Sequence, residues 1–133
     1  MDKNFENGCA LIVGGSGGIG SLCAKEFANT GAKVVITYYK NEQAAIDIAN
    51  DIDADVQIYQ LDNKDPKSVE ATFKKVSQDN GSINTLVNAA GFDIPQKFIN
   101  EIDLELWKGV IDPDINGFFN LVNTGLPHLR ESK

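Results

Sequence analysis

The sequence predicts an α/β protein: a doubly wound parallel sheet with helices on both faces. Three observations carry this. Short apolar, β-branched runs alternate with segments of helical period through the 133 residues. Each strand-like run is followed by a helix-like one, the order that crossovers between parallel strands require. The first such pair is joined by a turn with five glycines in eight residues, Val13-Gly14-Gly15-Ser16-Gly17-Gly18-Ile19-Gly20. No linker divides the chain and no repeat exceeds the strand–helix unit, so residues 1–133 are expected to form one domain.

The elements follow in order. Cys9–Val13 reads as a buried strand, and Gly18–Asn29 as a helix with Ile19, Leu22, Cys23 and Phe27 on one face, ended by Gly31. Lys33–Thr37 is a second strand, rich in β-branched residues. Glu42–Ile52 is a helix with Ala45, Ile46, Ala49 and Ile52 inward, and Asp55–Gln60 a third strand. Asp65 caps a helix that opens on Pro66, where the missing N–H costs nothing. Val69, Phe73 and Val76 mark its inner face and Gly81 stops it. Thr85–Asn88 is the core of a fourth strand running into Ala89-Ala90-Gly91. After a loop to about Asn100, Asp103 caps a helix continuing toward Arg130, which Pro113 should kink or interrupt.

Composition excludes several classes. With a net charge of −7 and no basic patch, the chain lacks what a nucleic-acid or anionic-membrane partner would need. No window reaches the ~18 apolar residues of a membrane helix, and Met1–Asn7 is polar with mixed charge, unlike a signal peptide. Cys9 and Cys23 have no metal-ligand spacing; they are expected to be buried free thiols in a reducing, cytoplasmic setting.

The glycine turn follows a strand and opens a helix, the context in which bare backbone and unpaired helix N–H groups receive a pyrophosphate. Two registers fit: Gly15, Gly17 and Gly20 as G-x-G-x-x-G, or Gly14, Gly18 and Gly20 as G-x-x-x-G-x-G. A P-loop does not fit, because Ser21-Leu22 follows Gly20 where Lys and Ser/Thr are needed. Ribose specificity should be set at the end of the second strand. There the chain reads Thr37-Tyr38-Tyr39-Lys40-Asn41, with no acid to bind two ribose hydroxyls and a lysine just past the strand end. Tyr39 and Lys40 are candidate cofactor contacts, and the lysine favours NADP (NADPH) over NAD; Lys40 as a solvated loop lysine is the plain alternative.

These residues resemble the short-chain dehydrogenase/reductase family along nearly the whole chain. Gly14, Gly18, Ile19 and Gly20 match the family's T-G-x-x-x-G-[IL]-G, with Val13 in place of threonine. Asp62 ends the third strand where the family sets an aspartate against adenine. Asn88-Ala89-Ala90-Gly91 matches N-N-A-G with Ala89 in place of the second asparagine. These motifs fall in step with the G-x-x-x-G-x-G register, leaving Gly15 and Gly17 as extra permissive residues. The resemblance implies a Rossmann-type fold with strand order 3-2-1-4. It implies cofactor contacts at Gly14, Ser16, Gly18, Ile19, Gly20, Asp62, Asn63, Asn88, Ala89, Ala90 and Gly91.

Trp107 to Phe119 resembles the family's W-x-x-V-x-x-x-N-L-x-G-x-F. Aligning on Gly117 puts Asp114 at the position of its catalytic-helix asparagine; Asn116 by a two-residue shift, or Asp114 as a mere cap after Pro113, are the alternatives. The second strand and its loop are most similar to the 3-oxoacyl-carrier-protein reductase and acetoacyl-CoA reductase group, implying a carbonyl or acyl-thioester substrate. The family's serine and Tyr-x-x-x-Lys pair have no match here. Tyr38, Tyr39 and Tyr59 are followed four residues on by Glu42, Gln43 and Asn63. The chain is therefore expected to be a cofactor-binding half, inactive alone; a non-catalytic dinucleotide-binding or sensing module, or an inactive gene fragment, is the alternative. Thr85–Asn88 at an open sheet edge and the apolar set Ile115, Phe118, Phe119, Val122 and Leu126, packing on the sheet and partly on a second subunit, imply a homo-oligomer.

Overall fold

A computed structural model describes residues 8–91 and 94–132; the polar start Met1–Asn7 lies outside them. Strand β1 (Gly8–Val13) leads into helix α1 (Gly18–Asn29), β2 (Lys33–Tyr38), α2 (Glu42–Asp51), β3 (Val56–Gln60), α3 (Pro66–Asn80) and β4 (Ser82–Asn88). A 3-10 turn (Ile99–Glu101), α4 (Leu104–Ile111), a π-helical turn (Asp112–Asn116) and α5 (Gly117–Glu131) follow. The four strands are parallel in the order β3-β2-β1-β4, the expected Rossmann-type arrangement.

All six residues of β1 are buried, so its side chains supply both faces of the core. Cys9, Leu11 and Val13 point to one side and join Val69, Phe73, Val76 and Leu121 of α3 and α5. Ile12 points to the other, with Val34 and Ile36 of β2 and Ala24 and Ala45 of α1 and α2. The two-residue period of a strand makes this division. Cap chemistry fixes where the helices begin: Asn41, Asp65 and Asp103 each accept an N–H of their helix's first turn.

Three expectations need correction. In α1, Ile19 and Leu22 are 75% and 65% exposed; the face on the sheet is Gly20 and Ala24, with Cys23 and Phe27 partly buried. Small residues win that face because α1 starts hard against the glycine turn. Cys23 is accordingly half-buried rather than buried, while Cys9 is buried; both are free thiols. The helix from Asp103 toward Arg130 is interrupted at Pro113, as expected: two helices are joined there by the π turn. Last, Ile115, Phe118, Phe119 and Leu126 do not pack on the sheet but are exposed, because α5 turns Gly117, Leu121 and Gly125 inward. Gly125 lies so close that a Cβ there would come within 2.9 Å of Leu86 and 3.0 Å of Phe73.

On the outer strand β3 the Tyr59 hydroxyl donates to Asp79 Oδ2 at 2.6 Å. Burial and then the bonded Asp79 carboxylate push its pKa from 10.0 up to about 12. The folded state thus holds this proton more tightly than the unfolded one. The resulting stabilisation is complete below pH 10 and lost as pH rises toward 12. Urea midpoints measured from pH 9 to 12 should fall for the wild type, and Tyr59→Phe should lose part of that slope; an identical slope would refute the assignment.

Candidate functional site

The carboxyl ends of the strands converge on a cavity of about 260 Å³. Val13 and Gly14 line it from the end of β1, Thr37, Tyr38, Tyr39 and Lys40 from β2, and Leu61 to Lys64 from the loop after β3. Ala90 and Gly91 after β4, together with Gly109 and Pro113, complete the wall. The crevice sits where the chain, having run outward from β1 to β3, crosses back to β4; such a switch point is where open α/β sheets bind ligands.

The glycine turn is built by close approach. Gly14 has φ +77°, and a Cβ on it would lie 2.6 Å from the Ala90 backbone nitrogen. A Cβ on Gly20 would lie 2.3 Å from the Gly14 carbonyl oxygen, so only glycine lets α1 start so near the turn. Gly15, expected to be merely permissive, instead packs on Ile36, which a Cβ there would meet at 2.5 Å. The Gly14 N–H donates to Thr37 Oγ1 at 3.2 Å, and the Ala89 N–H donates to the Val13 carbonyl at 2.8 Å. Thr37 went unnoticed in the sequence; its signal is one buried hydroxyl residue in an otherwise apolar strand. Helix α1 begins with Gly17 as its cap, with no side-chain cap bond and no acid in the first turn. A Cβ on Gly18 would meet no atom within 4 Å. An uncapped N-terminus with open space before it fits a phosphate group.

The loop after β3 is held from three sides. The Asp62 N–H donates to Ser68 Oγ, and the Lys64 N–H donates to Asp62 Oδ1, both at 3.0 Å. Asn63, expected as a cofactor contact, is buried and turns its carboxamide away to donate to the Pro113 carbonyl at 2.9 Å. That carbonyl is free for it because Pro113 lies in the π turn, where Gly117 donates to Asp112 rather than to Pro113. Gly117 also makes the room: its Cβ would sit 2.4 Å from the Asn63 amide nitrogen. Asn120 of α5 then donates to the Asn63 carbonyl at 2.9 Å.

Two lysines, Lys40 and Lys64, and one carboxylate, Asp62, line the cavity. The ammonium groups of Lys40 and Lys64 lie 5.2 and 5.1 Å from the centre of the Tyr39 ring. Desolvation first, then a hydrogen bond to Glu42 and its charge, hold the Tyr38 phenol above its ordinary pKa, so it is a neutral wall of the cavity at pH 7.

Of the residues singled out in the sequence, Gly14, Tyr39, Lys40, Asp62, Asn63, Ala90 and Gly91 meet in this cavity. Ser16, Gly18, Ile19 and Gly20 lie on the adjoining turn and first helical turn. Asn88 is elsewhere: it lines an apolar groove with Leu86, Phe118 and Leu126, and its Oδ1 accepts the Ala90 N–H at 3.2 Å. Asp114 does not line the cavity; its Oδ1 is 3.5 Å from where a Gly91 Cβ would be. Lys64, Gly109 and Pro113 are wall residues that sequence reasoning missed.

A parallel sheet in this order, with a glycine turn opening on a crevice at its carboxyl edge, defines the Rossmann class of α/β proteins. The family is more definite: the short chain dehydrogenase model matches residues 8–133, and the chain belongs to that family. It is 29% identical over 124 residues to sulfoacetaldehyde reductase 2 of Chromohalobacter salexigens, covering 92% of this chain and 49% of that protein. It is 33% identical over 118 residues to the 3-oxoacyl-acyl-carrier-protein reductase FabG of Escherichia coli, covering 89% and 48%. A short chain dehydrogenase from Burkholderia cenocepacia, crystallised in complex with NADP, superposes with a TM-score of 0.85 at 27% identity, covering 96% of this chain and 53% of the other. The chain thus spans about half the length of the curated relatives it matches.

Two substitutions test this geometry. Gly14→Ala should cost about 1–3 kcal/mol for the left-handed backbone alone, read as a lowered urea midpoint. Asn63→Ala strands the Pro113 carbonyl and should cost about 1–3 kcal/mol, with faster amide exchange concentrated at residues 112–117; unchanged exchange there would refute the coupling.

Proposed function

We propose that this chain is the dinucleotide-holding part of an NADPH-dependent short-chain reductase acting on a carbonyl, with a 3-oxoacyl thioester as the favoured substrate class. The observation that carries the reading is the cavity itself, in which Gly14, Asp62 and Ala90-Gly91 meet beside an uncapped helix start and a lysine-bearing strand end. On this reading Gly14, Ser16, Gly18, Ile19 and Gly20 cradle the phosphates with backbone N–H groups. Asp62 and Asn63 border the adenine. Ala89, Ala90 and Gly91 lie along the ribose, with Asn88 fixing their turn. Tyr39 and Lys40 face the 2′-phosphate, which is why NADP is favoured over NAD. Asp114 takes the family's asparagine position beside Gly91.

The bound cofactor would supply the hydride; this chain's residues bind and orient it. Carbonyl reduction is supported by relatives named as a sulfoacetaldehyde reductase and a 3-oxoacyl reductase. General acid catalysis needs a placed proton donor, and within the 133 residues none of Tyr38, Tyr39 and Tyr59 has lysine four positions on. We therefore read the 133-residue chain as able to bind but not to turn over. The same observation favours a second reading, a cofactor-binding or sensing module with no catalysis of its own. The free thiols fit a cytoplasmic setting, and the exposed apolar residues of α5 fit a homo-oligomer.

Titration with NADPH, followed by nicotinamide fluorescence, should show saturable binding that Asp62→Ala weakens about tenfold, the worth of one good hydrogen-bonded contact. No oxidation of NADPH is expected with a 3-oxoacyl thioester. Absence of binding would overturn the reading, and turnover by the 133-residue chain would overturn its inactivity.

A further inference from the structure

We propose that Lys64 and Lys40 form a two-lysine clamp around Tyr39 that selects a phosphomonoester on the adenosine ribose, with Lys64 a specificity-determining residue. The proposal rests on the cofactor reading above and adds a residue that no motif marks. Lys40 follows β2 and Lys64 follows β3, in loops 24 positions apart in the sequence. Yet both ammonium groups come to within about 5 Å of the same ring centre, 5.2 Å for Lys40 and 5.1 Å for Lys64. Both lysines line the cavity.

Three features turn this from a pair of surface lysines into a receptor. The ion pairs among the described residues are Lys25–Asp51 and Lys75–Asp79, so neither clamp lysine is spent on a carboxylate. The nearby acid Asp62 accepts the backbone N–H of Lys64 instead, at 3.0 Å. The Lys64 carbonyl accepts from Asn120 at 3.4 Å, so this side chain reaches from a base anchored on α5. An exposed cation–π contact contributes only about 0.5–1 kcal/mol, against the repulsion of two like charges drawn to one ring. A phosphomonoester, carrying about −1.5 to −2 charges at neutral pH, offsets both. A ribose with two free hydroxyls does not, since its neutral oxygens can each accept an ammonium N–H but bring no charge against the repulsion.

The test uses two cofactor fragments that differ in this one group, adenosine 2′,5′-bisphosphate and AMP, titrated calorimetrically into the 133-residue chain. The wild type should prefer the bisphosphate. Lys64→Gln should lose about tenfold for the bisphosphate and keep its affinity for AMP, which also certifies that the variant is folded. Lys64→Arg should retain the preference. A wild-type preference that survives Lys64→Gln undiminished overturns the clamp and leaves the NADP reading standing. Equal wild-type affinity for the two fragments overturns both, and binding of neither removes the cofactor reading with them.

Discussion

Complete burial of β1 is the constraint on which the rest of the structure depends. A strand hidden on both faces and hydrogen-bonded along both edges has to be short, apolar and flanked by strands that arrive from crossovers. Here β2 lies on one side and β4 on the other. The chain must therefore leave the carboxyl end of β1 between two neighbours, and it does so through a turn with no room for a Cβ at Gly14, Gly15 or Gly20. Gly14 meets the Ala90 backbone on the β4 side, while its N–H is held by Thr37 on the β2 side. The crevice is a consequence: two crossovers diverge from one strand end, and the space between them is lined by strand termini rather than by a dedicated pocket-forming loop.

The loop after β3 ties that crevice to the helices beyond it. Its anchor is the Asn63 carboxamide on the Pro113 carbonyl, an acceptor that Gly117 would have taken in an α-helix and that the π turn leaves to Asn63. Gly117 then admits the side chain and Asn120 closes the loop from the next turn of α5. A chain defect in the helix is thereby converted into a contact 50 residues away in sequence. Because Asn63 adjoins Asp62 and Lys64, the same three residues carry the cavity wall on one side and the fold on the other.

The crossover pattern and the place of the candidate cavity were legible because each rests on local signals: β-branched runs, helix periods, caps at Asp65 and Asp103, and the glycine turn; the strand order came only with the family resemblance. What was not legible depends on how closely elements approach. Helical period alone offered Ile19 and Leu22 as the inner face of α1, but contact with the turn demands Gly20 and Ala24 there. Likewise Gly125, facing Leu86 and Phe73, fixes the face of α5, so the bulkier Phe118 and Phe119 are left outside. Side-chain bonds across long separations, such as Thr37 to Gly14 and Asn63 to Pro113, leave no periodic trace at all. Asn88 shows the reverse case: the motif was readable, but its carboxamide caps the following turn rather than facing the cavity.

Charge behaves in the same local manner. A net charge of −7 argues against an extended polyanion as partner, since binding many phosphates needs a basic surface. It says little about one small anion. At physiological ionic strength distant charges are screened beyond about 8 Å, so the field at the crevice is set by what stands around it. There Asp62 accepts an N–H of its own loop backbone, and Glu42 is hydrogen-bonded to the Tyr38 phenol. What faces the opening is a helix start without a capping side chain and two ammonium groups about one ring. An acidic protein thus sets two lysines beside an uncapped helix start at the crevice where the sheet's crossovers diverge, which bears on one small anion and not on a long polyanion.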